Sequence, residues 1–362
     1  MFLSVLGVLL LAAGFAAALR LARARLGRPE ADWFPDPSTT VSQSRFWDGR
    51  AWTGRVRASD ERSDRGRFFH GRFWGRWIWF VVAALVVIAA GGAAYRANGE
   101  VALAALVSFL AMTALSWAFY RFMVRQLALD DVIGLPELIA VMVAVAGAVL
   151  VIAANVNSAI LNGAGARTAT ITVGLVEEGT KLLVPLCLYA FGRYRDPRAG
   201  LALGLAAGFA FAITETTQYA YATAHATGPN FCGTQTAVPT TLGVLQAQVF
   251  RMFSVSPLHW LWTAAATALA WRMWHLYGRR GTPAAVGGIV LVMVVHSAND
   301  TSATFSCDEG AGALLLQLGR WILLVASYLF FKAMARKSTP PQLVGAVSRG
   351  WTPRHLPKAP TP

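Results

Sequence analysis

Apolar runs near the length of a bilayer core recur along this chain, separated by short polar or basic segments. With ~20 apolar residues needed to cross the hydrocarbon, the pattern predicts about nine spans. They fall at residues 2–19, 77–95, 101–120, 136–154, 168–191, 200–223, 256–272, 283–300 and 312–333. The long unbroken Ala/Val/Leu runs exclude a membrane β-barrel, whose strands are short and alternate. Residues 30–76 break the pattern, being polar, Trp-rich and dense in arginine. Inside this segment Asp48-Gly49 is a turn signal between two short aromatic stretches. So few residues pack only a small core, built from Trp33, Trp47 and Trp52. The expected fold class is therefore an all-α polytopic membrane protein of about nine transmembrane helices, with a small β-rich cytoplasmic module near the N-terminus. The expected division is a transmembrane anchor at 1–20, the Trp-rich module at 30–58, a multi-span membrane domain at 77–333 and a Pro-rich, disordered tail at 338–362.

Composition agrees: 56% of the 362 residues are hydrophobic and the mean hydropathy is +0.48, which a soluble domain rarely reaches. The formal net charge is +14, but the basic residues sit in alternate connections. Arg121 and Arg125, Arg193 to Arg198, Arg272 to Arg280 and Lys332 to Lys337 fall on one side; the other holds only Arg96, Arg167 and Arg251. The positive-inside rule then puts the N-terminus outside and the C-terminus in the cytoplasm of a multi-pass cell-membrane protein. Arg20, Arg23 and Arg25 follow the first run and no Lys or Arg precedes it. A cleaved signal peptide ending near Ala16-Ala17-Ala18 ranks second, for want of a basic leader. No nucleic-acid partner is expected, since no basic helix or aromatic–basic interleaving supports one. Of the three cysteines, Cys187 lies in a span, where packing explains it. Cys232 and Cys307 fall in two outer loops, where a disulfide would persist.

The chemistry lies where lipid rejects it. Glu177 and Glu178 are adjacent within a span, with Lys181 one turn on; Glu215, His259 and His296 each interrupt another. A charge in the hydrocarbon costs at least ~2.5 kcal/mol. Glu177 sits ~14 Å and Glu215 ~12 Å from the outer end of their helices at 1.5 Å per residue. His259 lies a few residues into an inward-running helix and His296 a few from the end of an outward-running one. All four thus share one depth in the outer half of the membrane. Lys181 is placed to neutralise a carboxylate at i,i+3 or i,i+4. Phe211, Glu215 and Tyr219 share a face. Asn299 and Asp300, one turn after His296, are placed to orient its ring. Ser256-Pro257 reads as a helix start, which would put His259 in a positive first turn. Imidazoles and carboxylates together bind a divalent metal or activate water directly, as peptide hydrolysis needs.

Blander explanations exist for each residue. Paired carboxylates in membranes also serve proton- or ion-coupled transporters, which is the alternative function. A lone membrane histidine is more often an interhelical hydrogen-bonding group than a ligand. A catalytically silent membrane scaffold is a third possibility. No repeat relates the two halves, as many secondary carriers would require.

At these positions the chain resembles the PrsW family of intramembrane proteases, related to the CAAX-processing and bacteriocin-processing membrane proteases. The family pattern reads here as Glu177-Glu178-Gly-Thr-Lys181, Phe211-Ala-Ile-Thr-Glu215, His259 within Ser-Pro-Leu-His-Trp, and His296-Ser-Ala-Asn-Asp300. The quartet is in order, and the resemblance covers about residues 136–333. The resemblance implies an intramembrane endopeptidase acting on membrane-anchored protein substrates. Its catalytic set would be Glu177, Glu178, Glu215, His259 and His296, supported by Lys181, Asn299 and Asp300. It also implies a divalent metal, zinc being the expected one, held by Glu177, Glu215, His259 and His296. Relatives have been argued to use glutamate-activated water without metal, and related groups carry His where this chain has Glu215. A second resemblance covers Asp32-Trp33-Phe34-Pro35-Asp36-Pro37 and Arg45-Phe46-Trp47-Asp48-Gly49-Arg-Ala-Trp52-Thr53. It is to a short Trp-rich domain of unknown function of actinobacterial membrane proteins, for which a cytoplasmic partner or a spacer role is expected.

Overall fold

The computed structural model describes residues 2–26, 32–35, 43–47, 52–58, 77–127, 129, 133–225, 240–304 and 311–338. Among the described residues there are ten α-helices: α1 (Phe2–Leu26), α2 (Trp77–Asn98), α3 (Val101–Leu127), α4 (Leu135–Ala148), α5 (Ala154–Ala190), α6 (Pro197–Ala224), α7 (Thr241–Phe250), α8 (Ser256–Tyr277), α9 (Thr282–Thr304) and α10 (Ala311–Ser338). Short π-helical turns join α4 to α5 (Val149–Ala153) and α7 to α8 (Arg251–Val255).

The expected fold class needs correcting. Among the described residues seven helical stretches are long and apolar enough to cross a membrane. Two of the seven run to 56 and 62 residues, or ~84 and ~93 Å at 1.5 Å per residue, far beyond one crossing. Each is folded back at a glycine. Gly165 adopts φ 82°, ψ 169°, a region essentially reserved for glycine. Gly278, at φ 56°, ends α8. The region expected as a β-rich module contains three short strands, β1 (Asp32–Pro35), β2 (Gln43–Trp47) and β3 (Trp52–Ala58), paired antiparallel in that order. So little strand in an otherwise helical chain does not support a self-standing β-rich domain. Its supposed core of Trp33, Trp47 and Trp52 concerns side chains outside those described, as do Cys232, Cys307 and the tail from residue 339.

Helix α6 is the hub. From Pro197 to Ile213 every residue is buried, as a helix apolar all round must be when neighbours surround it. Asp196 caps it, accepting from the Arg198 N–H at 2.8 Å, with Pro197 at the first helical position. Its tightest partner is α8, and small residues make that possible. A Cβ at Gly204 would strike Thr267 and Ala264, and one at Gly208 would lie 2.8 Å from the His259 carbonyl oxygen and the Trp260 Cα. Such small-residue seams bring membrane helices to close approach. Helix α9 packs on α5 and α8, α10 on α8, and α3 and α4 on α6. Three basic connections meet at one end of the bundle. Trp271 Nε1 donates to the Tyr194 carbonyl at 2.7 Å and Arg272 Nη1 to the Lys337 carbonyl at 2.5 Å.

The segment before His259 also differs from expectation. Residues 241–255 were expected as outer loop, but Thr240 caps α7 by accepting from the Gly243 N–H at 3.0 Å. The helix then runs through the π turn into α8. Ser256 is therefore not a cap; no side-chain cap bond forms there and the preceding Val255 is itself right-handed helical. Pro257 lacks an N–H, so the ladder has no bond to lose at that point, and the chain passes it by widening rather than by stopping. His259 consequently does not sit in the first turn of a free helix end.

Candidate active site

Four helices deliver the polar side chains to one point. Glu177, Glu178 and Lys181 come from α5, Glu215 from α6, His259 from α8 and His296 from α9. Glu177, Glu178, Lys181, His259 and His296 are all buried.

At the base lies an ion pair. Lys181 Nζ donates to Glu178 Oε1 at 2.6 Å, both side chains being fully enclosed, and stands 3.9 Å over the Phe211 ring. Glu178 takes two more donors: His296 Nδ1 at 2.9 Å on Oε1 and Thr263 Oγ1 at 2.8 Å on Oε2. A buried carboxylate survives only with such satisfaction. Lys181 reaches His259 as well, with Nζ 2.9 Å from Nδ1. The rings of His259 and His296 lie 5.2 Å apart. Both inner ring nitrogens are thus anchored on one charge pair.

The outer atoms face each other. Glu177 Oε2 is 3.4 Å from His296 Nε2, and Glu215 Oε2 is 3.0 Å from His259 Nε2 and 2.8 Å from Arg251 Nη2. None of these four outer atoms of Glu177, Glu215, His259 and His296 makes an aligned hydrogen bond among the described residues. Buried polar atoms are rarely left so. Convergent carboxylate and imidazole atoms in contact, yet misaligned for one another, suit a shared ligand between them. Glu177, His259 and His296 each bring one ligand atom to within 4.8 Å of the others, so the donor set fits a divalent cation.

The expected residues therefore gather, with differences of role. Of the two carboxylates that the spacing offered, Lys181 pairs with Glu178. Asp300 does not orient His296: its Oδ2 is 3.8 Å from Nε2, while Glu178 holds Nδ1. Asn299 donates to Asp300 at 2.9 Å. Two residues at the site were not anticipated. Asn157 donates to Glu177 Oε1 at 3.1 Å from the arm of α5 before Gly165. Twenty residues of straight helix would separate them by ~30 Å, so only the reversal at Gly165 makes the contact. Arg251, expected in an outer connection, pairs with Glu215 and lies 3.7 Å over the Tyr219 ring. The available signal for Asn157 was an uncharged amide inside an apolar run, which alone is weak.

Comparison with known proteins gives two matches. The family model described as PrsW family intramembrane metalloprotease matches residues 135–334, which include every residue of the site. A second family model, described as protein of unknown function (DUF2510), matches residues 31–65. No curated protein and no solved structure matches. With the family model covering more than half of the chain and all four helices that carry the buried acids and imidazoles, this multi-pass membrane protein belongs to the PrsW family of intramembrane metalloproteases.

Proposed function

We propose that the chain hydrolyses peptide bonds of membrane-anchored proteins at the Glu177 cluster, in the outer half of the bilayer. The observation that carries this is the convergence of four buried polar atoms from four helices without aligned partners of their own. Glu177 is the base. Asn157 occupies one lone pair of its Oε1; another is left for a proton of water. As that proton moves to Glu177, the water oxygen attacks the carbonyl carbon. The proton then passes to the amide nitrogen as the C–N bond breaks, yielding a carboxyl and an amine. Family membership implies a divalent metal, and we propose zinc, which suits mixed carboxylate and imidazole donors. Glu177 and His296 would hold it, because the Nδ1–H of His296 donates to Glu178 and leaves Nε2 a lone pair, whereas His259 accepts from Lys181 at Nδ1 and so carries its proton on Nε2. Such an ion polarises the carbonyl and acidifies water. The wider ligand set expected from the sequence is narrowed here, since Arg251 neutralises Glu215. Glu178, whose two oxygens already accept from Lys181, His296 and Thr263, orients rather than reacts.

The test is Glu177→Gln in reconstituted membranes, with cleavage of a single-span substrate as the readout. Loss of the base should lower turnover by ~10²–10⁴-fold while the protein stays folded. Wild-type turnover by the folded variant would sink the proposal. So would turnover that survives complete metal removal, as far as the metal is concerned. Coupled transport, the alternative for such carboxylates, gains no support from the family match.

A further inference from the structure

We infer that the buried Lys181–Glu178 pair holds His259 and His296 in opposite tautomers, so that His296 presents a lone pair and His259 an N–H to the site. A lysine ammonium has three donors and no acceptor; an ionised carboxylate only accepts. The 2.6 Å separation is that of a charge-assisted bond. Lys181 therefore donates to His259 Nδ1 at 2.9 Å, and the single proton of that neutral ring must be on Nε2. Glu178 accepts from His296 Nδ1 at 2.9 Å, so in the neutral ring the single proton is on Nδ1 and Nε2 is bare. The two imidazoles have similar surroundings and opposite polarity, because one leans on the cation and the other on the anion of the same pair.

The consequence divides the labour of the site. His296 Nε2, 3.4 Å from Glu177 Oε2, is fit to bind an ion. His259 Nε2 carries hydrogen and cannot ligate in this state, although it sits within the same cluster. Its N–H is 3.0 Å from Glu215 Oε2 but out of line with it. A buried donor without an aligned acceptor is available to a substrate carbonyl oxygen as that oxygen becomes an oxyanion. This assignment to the oxyanion rests on the peptidase proposal above; the tautomers do not. Lys181 then acts as a positioning residue through His259.

The decisive measurement is the nitrogen NMR spectrum of the full-length protein, 15N-labelled at histidine, metal-free in lipid nanodiscs. Signals are assigned by difference with His259→Gln and His296→Gln. The expected result is hydrogen on Nε2 of His259 and on Nδ1 of His296. Hydrogen on Nδ1 of His259 would overturn the inference, and the wild type alone decides this. Lys181→Met, where it folds, should release His259 into a tautomer mixture and leave His296 unchanged; a shift of His296 alone would count against the mechanism. Zinc titration supplies a readout independent of cleavage. His296→Gln should weaken zinc binding at least ~10-fold, and His259→Gln should leave it near wild type. Equal loss in both would make His259 a ligand and refute the proposal. If cleavage by His259→Ala falls ~10²–10³-fold in kcat with KM little changed, as for a lost oxyanion donor, the catalytic half stands. Unchanged kcat would remove it while leaving the tautomers intact.

Discussion

At the scale of single residues, the site is organised around one buried ion pair. Glu178 and Lys181 are wholly enclosed, and each contacts a histidine as well as its partner. Breaking a buried pair from one side leaves an uncompensated charge, at a cost of ~3–5 kcal/mol. Lys181→Met and Glu178→Gln should therefore each lower thermal stability markedly in detergent or nanodiscs. The double variant should recover part of the loss, since both charges are then gone. Additive losses in a double-mutant cycle would mean that the pair is not coupled. Glu177→Gln should behave differently, because Glu177 faces the unsatisfied side of the cluster. Its stability should stay near wild type while turnover collapses.

At the scale of elements, two glycine positions decide whether the helices meet. The α6–α8 seam leaves no room for a side chain at Gly208, where an added Cβ would lie 2.8 Å from the backbone of His259 and Trp260. Gly208→Val should displace α8 at the height of His259. Cleavage should be lost even where the variant still inserts and folds, and cysteine cross-linking between α6 and α8 would register the shift. Gly165 acts differently, since an added Cβ there meets nothing within 4 Å. Its backbone conformation is the constraint. Gly165→Ala should cost ~1–3 kcal/mol and loosen the hairpin that brings Asn157 to Glu177. The expected outcome is reduced thermal stability with reduced turnover. Asn157→Ala should lower turnover with little change in stability. A Gly165→Ala protein equal to wild type in both would mean that the reversal tolerates another backbone.

At the scale of the whole molecule, the bundle has a polar end and a reactive depth. The connections at Tyr194, Arg272 and Lys337 touch each other, so the most basic segments lie at one end. We propose from the positive-inside rule that this end is cytoplasmic, which would put the N-terminus outside and the protease site in the outer half of the membrane. Single cysteines introduced at Arg195 and Arg279 should resist a membrane-impermeant thiol reagent in intact cells and react in inverted vesicles. Labelling in intact cells would reverse the topology. The same orientation would make a Cys232–Cys307 disulfide extracellular. Non-reducing mass spectrometry should find it, and free thiols at both would dismiss it.

Hydropathy along the chain was enough to establish a polytopic helical membrane protein, because the cost of polar backbone and charge in lipid does not depend on partners. It was enough, too, to pick out Glu177, Glu215, His259 and His296. Depth follows from counting residues along a helix, and depth alone brought them level. What it could not supply was rotation, reversal and contact. The fold-back at Gly165, the helical course of residues 241–255 and the merging of expected spans into seven stretches depend on packing between distant segments. So do the recruitment of Asn157 and Arg251, and the choice of Glu178 as the partner of both Lys181 and His296. Hydrogen bonds of about 3 Å resolve differences that a residue count over ~1.5 Å steps cannot. Tertiary structure therefore decided which acid faces the unpaired imidazole atoms and which one pairs with Lys181 and His296.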